Sequence, residues 1–102
     1  MPGVARGGDD CRTGHGCDIE TTLDESKASP DVYANDRRVE RVTDPTVPHD
    51  FPTPAGCVPH TAPITGGSGS VFVNGLGIAR LNDPVDAGGK ITSASTDVFA
   101  GD

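Results

Sequence analysis

The sequence contains two ungapped copies of one pattern, and this repeat constrains the fold more than any other feature. Residues 29–44 read SPDVYANDRRVERVTD, and residues 68–83 read SGSVFVNGLGIARLND. Each copy begins with Ser, carries Asn at its turn and ends with Arg-x-x-Asp. Short β-branched runs on either side of a turn are typical of a β-hairpin. The sequence therefore predicts two equivalent hairpins that pack on one another.

The turn residues support this interpretation. Asn74-Gly75 is the strongest short hairpin signal, because both residues tolerate the positive φ of a type I′ turn. Asn35-Asp36 is a weaker version of the same signal. We expect strands near 31–34, 38–42, 70–73 and 77–81, with two more at 4–6 and 97–99.

The two terminal strands come from a third copy that is divided between the chain ends. Residues 4–9 (VARGGD) match its second half, and residues 95–101 (STDVFAG) match its first half. A hairpin divided in this way requires the termini to lie side by side. The sequence therefore predicts an all-β fold of short β-hairpins with pseudo-three-fold symmetry.

The composition indicates a thin core and argues against several functions. Leu, Ile, Val and Phe together supply 20 of 102 residues, and there is no Trp. A small domain with so few large apolar residues usually needs extra stabilisation. The net charge of −7 argues against nucleic-acid binding. No apolar run is long enough to span a bilayer and no signal peptide is visible, so we expect a reducing cytoplasm or an export route that reads no such signal.

Three connecting segments separate the hairpins: 10–28, 45–67 and 84–94. They are rich in Pro, Gly, Thr and Asp and are expected to form long loops, with one helical turn near 22–27. Loops this long are usually functional or held in place by another group. All histidines and cysteines lie in the first two segments.

These residues predict a metal site that stabilises the loops. Cys57-x-x-His60 places two ligands one turn apart, His49 lies upstream, and His15 stands between two glycines. Three histidines and one cysteine make a closed tetrahedral set, which favours zinc. Binding of the ion would add to the free energy of folding. Cys11 and Cys17 could be ligands, a local disulfide or packed thiols, and packed thiols are favoured.

The repeated charged residues are interpreted as structural. Asp9, Asp44 and Asp83 could form a calcium site, but capping of a turn fits better, since Asp readily bonds to its own backbone after a strand. The repeated Arg6, Arg41 and Arg80 could bind phosphate. One Arg at the same position in each copy instead indicates pairing with a neighbouring Asp.

Taken together, these motifs resemble the PAAR-repeat family. The resemblance rests on VARGGD at 4–9, Gly-His-Gly-Cys at 14–17, VFVNG at 71–75 with Ile-Ala-Arg at 78–80, and DVFAG at 97–101. It implies one PAAR-repeat domain over 1–102 that forms a small cone. Two departures are Glu40 in place of the family's Ala and Ala87 where relatives often carry Cys.

The resemblance also implies a function and a site. Family members cap a trimeric β-helical spike in phage tails and type VI secretion systems, one copy per trimer, and make transient contact with the target membrane. They are not enzymes, and some could carry a cargo protein. The chain would then lie at a virion tail tip, or in the cytoplasm before export by a secretion system. By position, the family's zinc or iron ligands would be His15, His49, Cys57 and His60.

The predicted surface toward the spike is apolar. It would draw on Val32, Val71, Phe72, Val98 or Phe99. Strand alternation puts Val71 and Phe72 on opposite faces, so one set is expected in the core and the other at the interface.

Two other functions fit the same residues. A small metallohydrolase would hold an ion through three histidines and keep a fourth position open for water. An acidic metal-binding adaptor would act without any spike.

Overall fold

The computed structural model describes residues 1–101, and within them the chain forms ten short strands and one 3-10 helix at Glu25–Lys27. The predicted all-β fold of antiparallel hairpins is confirmed, and the helix falls inside the segment where one turn was expected. The strands are β1 (Asp10–Arg12), β2 (Glu20–Thr22), β3 (Tyr33–Ala34), β4 (Arg37–Arg38), β5 (His49–Thr53), β6 (Gly56–His60), β7 (Phe72–Val73), β8 (Leu76–Gly77), β9 (Pro84–Val85) and β10 (Gly89–Ile91).

The two predicted repeat hairpins are present as β3–β4 and β7–β8. Asn35 and Asp36 adopt φ values of 54° and 64°, and Asn74 and Gly75 adopt 53° and 79°. Positive φ at both central residues is the requirement of a type I′ turn. The strands are shorter than predicted, because each pairs for only two residues before it continues into bridges with another repeat.

The chain ends form the third hairpin, as the divided repeat predicts. Gly3 bridges Phe99, and the Val4 amide donates to the Val98 oxygen at 2.9 Å. The Ala100 amide donates to the Pro2 oxygen at 3.1 Å. The termini are therefore adjacent.

A closed ring of backbone hydrogen bonds marks the pseudo-three-fold axis. The Ala5 amide donates to Ala79 at 2.9 Å, the Ala79 amide to Glu40 at 3.0 Å, and the Glu40 amide to Ala5 at 3.0 Å. These residues hold the same position in the three copies, and all three are fully buried. The ring joins the three hairpins into one body.

Each copy then turns on an Arg–Asp pair. In the copy at residues 29–44, Asp44 accepts from the Arg41 backbone amide and from its Nε, both at 2.8 Å, and from its Nη2 at 3.0 Å. Arg6–Asp9 and Arg80–Asp83 repeat this arrangement. The interpretation of these residues as structural agrees with these contacts.

The core consists of two thin layers on either side of the ring. The layer beside the repeat hairpins contains six buried apolar residues: Val4, Ala34, Val39, Val73, Ile78 and Ala100. The layer beside the connecting segments contains seven: Ala5, Cys11, Leu23, Ile64, Ala79, Val85 and Ile91. The small side chains match the thin core expected from the composition.

The connecting segments are more ordered than predicted. Parts of the first and third form a four-stranded antiparallel sheet in the order β2-β1-β10-β9, and the middle segment forms the β5–β6 hairpin. The segments expected to form long loops therefore contain short paired strands. Pro52 and Pro59 lower the strand propensity of this segment, so the hairpin is difficult to predict from the sequence. A two-stranded ladder tolerates proline because each strand has an edge that needs no partner.

Candidate metal centre

Three histidines and one aspartate from different segments converge at one point. His49 and His60 are register partners at the open end of the β5–β6 hairpin. His15 lies in the connection between β1 and β2, and Asp86 follows β9 with a φ of 61°. We call these four residues the metal-site cluster, because one ligand atom from each lies within 4.8 Å of all the others.

The distances within the cluster are short. His60 Nε2 lies 2.8 Å from His49 Nε2, and His15 Nε2 lies 3.2 Å from each of them. Asp86 Oδ2 lies 2.7 Å from His49 Nε2, 3.0 Å from His15 Nε2 and 3.5 Å from His60 Nε2. Four atoms bound to zinc at about 2.0–2.1 Å are spaced about 3.3 Å apart in a tetrahedron. The observed spacing therefore fits a single ion at the centre.

The protonation of the rings strengthens this fit. His15 Nδ1 lies 2.8 Å from the Gly16 oxygen, and His49 Nδ1 lies 2.9 Å from the Val47 oxygen. Because a carbonyl oxygen only accepts, these contacts favour the tautomer with the proton on Nδ1 in both rings. In the neutral rings the Nε2 lone pairs then point at each other and at the Asp86 carboxylate. Such a group of acceptors needs a cation, and the carbonyls act as the outer partners typical of metal-bound histidines.

The surroundings limit solvent access to the cluster. The side chains of His49 and Asp86 are 2% and 3% exposed, and that of His60 is 26% exposed. Phe51 packs edge-on against His15 with ring centroids 4.8 Å apart and lies 4.6 Å from the His60 ring. An apolar cover of this kind strengthens electrostatic binding by lowering the local dielectric constant.

Cys57 does not lie with the histidines, which differs from the predicted ligand set. Its sulfur is bonded to that of Cys17, 40 residues away in sequence. Cys57 and His60 are three residues apart on one strand, so their side chains point to opposite faces. Cys17 is therefore not the packed free thiol that was expected. Cys11 is a buried free thiol, and burial raises its pKa to about 12.

Asp86 is the member of the metal-site cluster that was not predicted from the sequence. It lies in the third connecting segment, which has no His or Cys, and its neighbours are typical of an ordinary turn. Asp is common at such turns because it tolerates positive φ. The one available signal was Ala87, which departs from the family pattern in this segment.

The end of the molecule that carries the repeat hairpins exposes apolar side chains. Tyr33, Phe72 and Phe99 are 55%, 59% and 51% exposed and hold equivalent positions in the three copies. We call them the base triad. Val71 is also exposed, so the prediction that either Val71 or Phe72 would be in the core was wrong. Val73 is the residue that is buried in the core. The paired strand begins at Phe72, and side chains alternate between the two faces from there.

Comparison with known proteins identifies the family. The family model of the PAAR motif matches residues 12–93, which is most of the chain. The chain belongs to the PAAR family, and this membership supports a role at the tip of a spike in contractile injection systems. No curated protein matches the chain. None of the helical structure in residues 1–101 is long and apolar enough to cross a membrane.

Proposed function

We propose that this chain is the metal-stabilised tip that caps a trimeric β-helical spike of a contractile injection machine. The base triad is the observation that carries the proposal. A single chain presents three equivalent aromatic residues, more than half exposed, around a pseudo-three-fold axis. Exposed apolar patches of this kind mark protein interfaces.

The pseudo-symmetry supports one copy per trimer. A trimer offers the same surface three times around its axis, and a monomer can match it only if it repeats its own contact surface three times. The ring formed by Ala5, Glu40 and Ala79 relates the three hairpins in this way. Each triad residue would then contact one chain of the spike.

The metal-site cluster would hold one ion, zinc by preference and iron as the alternative. His15, His49, His60 and Asp86 would supply the ligands, with Asp86 in the place that the resemblance gives to Cys57. The ion would supply a rigid link among three connecting segments. Four protein donors fill a tetrahedral shell, which supports a structural site. A metallohydrolase needs an open position for water, so this arrangement disfavours the enzymatic alternative.

In this role the protein acts mechanically. The β5–β6 hairpin and its attached loop project from the end that carries the metal-site cluster, and the molecule is elongated, 41 × 23 × 23 Å. The triad end would sit on the spike and the metal end would lead toward the target membrane. The protein would work at the tip of a phage tail or of a type VI secretion spike.

Co-purification with the spike protein of the same particle tests the proposal. The triple variant Tyr33→Ser, Phe72→Ser, Phe99→Ser should lose the complex, while Ile19→Ser should keep it, because Ile19 is similarly exposed but lies near the metal end. Retention of the complex by the triple variant would contradict the proposal. Circular dichroism of both variants establishes that they are folded.

A further inference from the structure

A pocket of about 480 Å³ lies beside the metal-site cluster and has a different chemistry. It opens between the connection that follows β1 and the start of β10. Arg12 and Lys90 line it, together with Ile19 and four glycines. His15 lies between this pocket and the metal-site cluster, so the pocket belongs to the end of the molecule opposite the base triad.

Within residues 1–101, the side chains of the two cations of the pocket have no partner. Arg12 and Lys90 are register neighbours on β1 and β10, and neither side chain forms an ion pair or hydrogen bond with any residue in 1–101. Glu20 is the register partner of Arg12 on the other side, yet it forms no ion pair with it. Like charges directly opposite each other in a sheet are destabilising. An anion between them would remove this cost.

Four other arginines of the chain bind aspartates. Arg6, Arg41 and Arg80 each pair with an aspartate three residues away, and Arg37 pairs with Asp9. In a chain with net charge −7, carboxylates outnumber cations almost two to one, 15 to 8. Arg12 and Lys90 instead lie side by side at one pocket, and no carboxylate in residues 1–101 forms an ion pair with either of them.

Half of the residues that line the pocket are glycines, so much of its wall is backbone without side chains. A Cβ at Gly14 or Gly89 would collide with backbone atoms across the pocket floor, where the two segments press together. A Cβ at Gly16 or Gly88 would meet no other atom, so the mouth of the pocket is unobstructed. Among the described residues 1–101, no acidic side chain lines the pocket. Small anions bind where cations flank backbone that a ligand can approach closely.

We propose that this pocket binds a phosphate group, held between the Arg12 guanidinium and the Lys90 ammonium. Phosphate accepts paired hydrogen bonds from Arg and a point charge from Lys. The group could be free phosphate or the headgroup of a phospholipid. Ile19, 59% exposed at the rim, suits a phosphate that carries an apolar chain. The proposal does not depend on the spike or on the metal.

Titration with inorganic phosphate, followed by amide chemical shifts, tests the site in the full-length protein. Shifts should centre on residues 12–19 and 88–90. Arg12→Gln with Lys90→Gln should weaken binding at least about tenfold, because the loss of even one charge-assisted hydrogen bond exceeds the free energy of about 1.4 kcal/mol to which a tenfold change corresponds. Lys27→Gln with Arg38→Gln removes the same charge elsewhere and should leave binding unchanged. Equal weakening by both pairs would overturn the proposal.

A second arm separates the two sources of phosphate. Flotation with phosphatidylglycerol vesicles should recover the wild-type protein if a headgroup is the ligand, and Ile19→Ser should reduce that recovery. Binding of inorganic phosphate without vesicle binding would assign the site to free phosphate. Failure of both probes would overturn the proposal. A second result would also overturn it: phosphate binding that a chelator abolishes but that survives Arg12→Gln with Lys90→Gln. In that case the metal ion of the metal-site cluster, and not the two cations, would bind the phosphate.

Discussion

His49 Nδ1 lies 2.9 Å from the backbone oxygen of Val47, and this contact fixes the direction in which the ring can bind a ligand. The proton stays on Nδ1, so the Nε2 lone pair faces His60 and Asp86. His49 is also the most buried histidine of the cluster. The His49 ring is therefore already oriented toward the other members of the cluster before any ion binds. This preorganisation lowers the entropic cost of binding an ion.

Asp86 tests the assigned ligand set. Asp86→Ala should weaken zinc affinity at least about tenfold, because a ligand matters at least as much as its outer-shell partners. Elemental analysis and competition with a chelator would measure this. Asp10→Ala is a matched control, because Asp10 is exposed, its carboxylate makes no ion pair within residues 1–101, and the net charge changes equally. Unchanged affinity in Asp86→Ala would show that Asp86 is not a ligand.

The disulfide should stabilise the protein without contributing to metal binding. Cys17→Ser with Cys57→Ser should lower the free energy of unfolding by about 4 kcal/mol, from the chain entropy of a loop of this length. The zinc content of the variant should stay at the wild-type level. Denaturant melts and elemental analysis measure the two effects separately. Loss of zinc from Cys57→Ser alone would favour the ligand set predicted from the sequence.

Glu40 should make stability depend on pH. Burial raises its pKa to about 9, and neither carboxylate oxygen has a hydrogen-bond partner among residues 1–101. The folded state therefore binds a proton that the unfolded state releases near pH 4.5. The stabilisation is fully present below that pH and is lost as the pH rises through about 9, by up to about 1.4 kcal/mol per pH unit.

The variant Glu40→Gln isolates this effect. Its free energy of unfolding should decline less than that of the wild type between pH 5 and 9, since the amide does not titrate. Urea melts at matched pH values measure the difference, and changes at the histidines affect both proteins alike. Parallel pH curves for the two proteins would show that Glu40 does not titrate in this range.

The Arg–Asp turns should be sensitive to loss of charge. Asp44→Asn should destabilise the fold by about 3 kcal/mol, because it leaves the largely buried Arg41 guanidinium without its carboxylate. Asp36→Asn, at an exposed hairpin turn, should change stability by less than about 0.5 kcal/mol. Thermal melts of the two variants would compare them. Equal small effects would indicate that these turns are held by backbone hydrogen bonds alone.

The repeat hairpins could be predicted from the sequence because their signals are local. Asn74-Gly75 determines its turn within two residues, and the copy divided between the termini implies closure. The β5–β6 hairpin could not be predicted in the same way. Pro52 and Pro59 lower its strand propensity, and its pairing depends on contacts with the loop that carries Cys17 and Asp18.

The three histidines of the cluster could be found because they stand in segments outside every repeat. Asp86, the fourth member of the cluster, could not, because spacing favours a ligand close in sequence. Cys57 satisfies that spacing but faces the other side of its strand, whereas Asp86 is brought to the cluster by the tertiary fold. The membership of the cluster therefore depends on which face of a strand a side chain occupies and on the tertiary fold, and a local motif encodes neither.

The native mass of the complex with the spike distinguishes a single pseudo-three-fold cap from every other arrangement. We expect one copy of this chain on three copies of the spike protein, with one zinc ion retained in the assembled complex. A complex with three copies of this chain, or the absence of any complex with metal-loaded protein, would contradict the proposed role as a pseudo-three-fold cap.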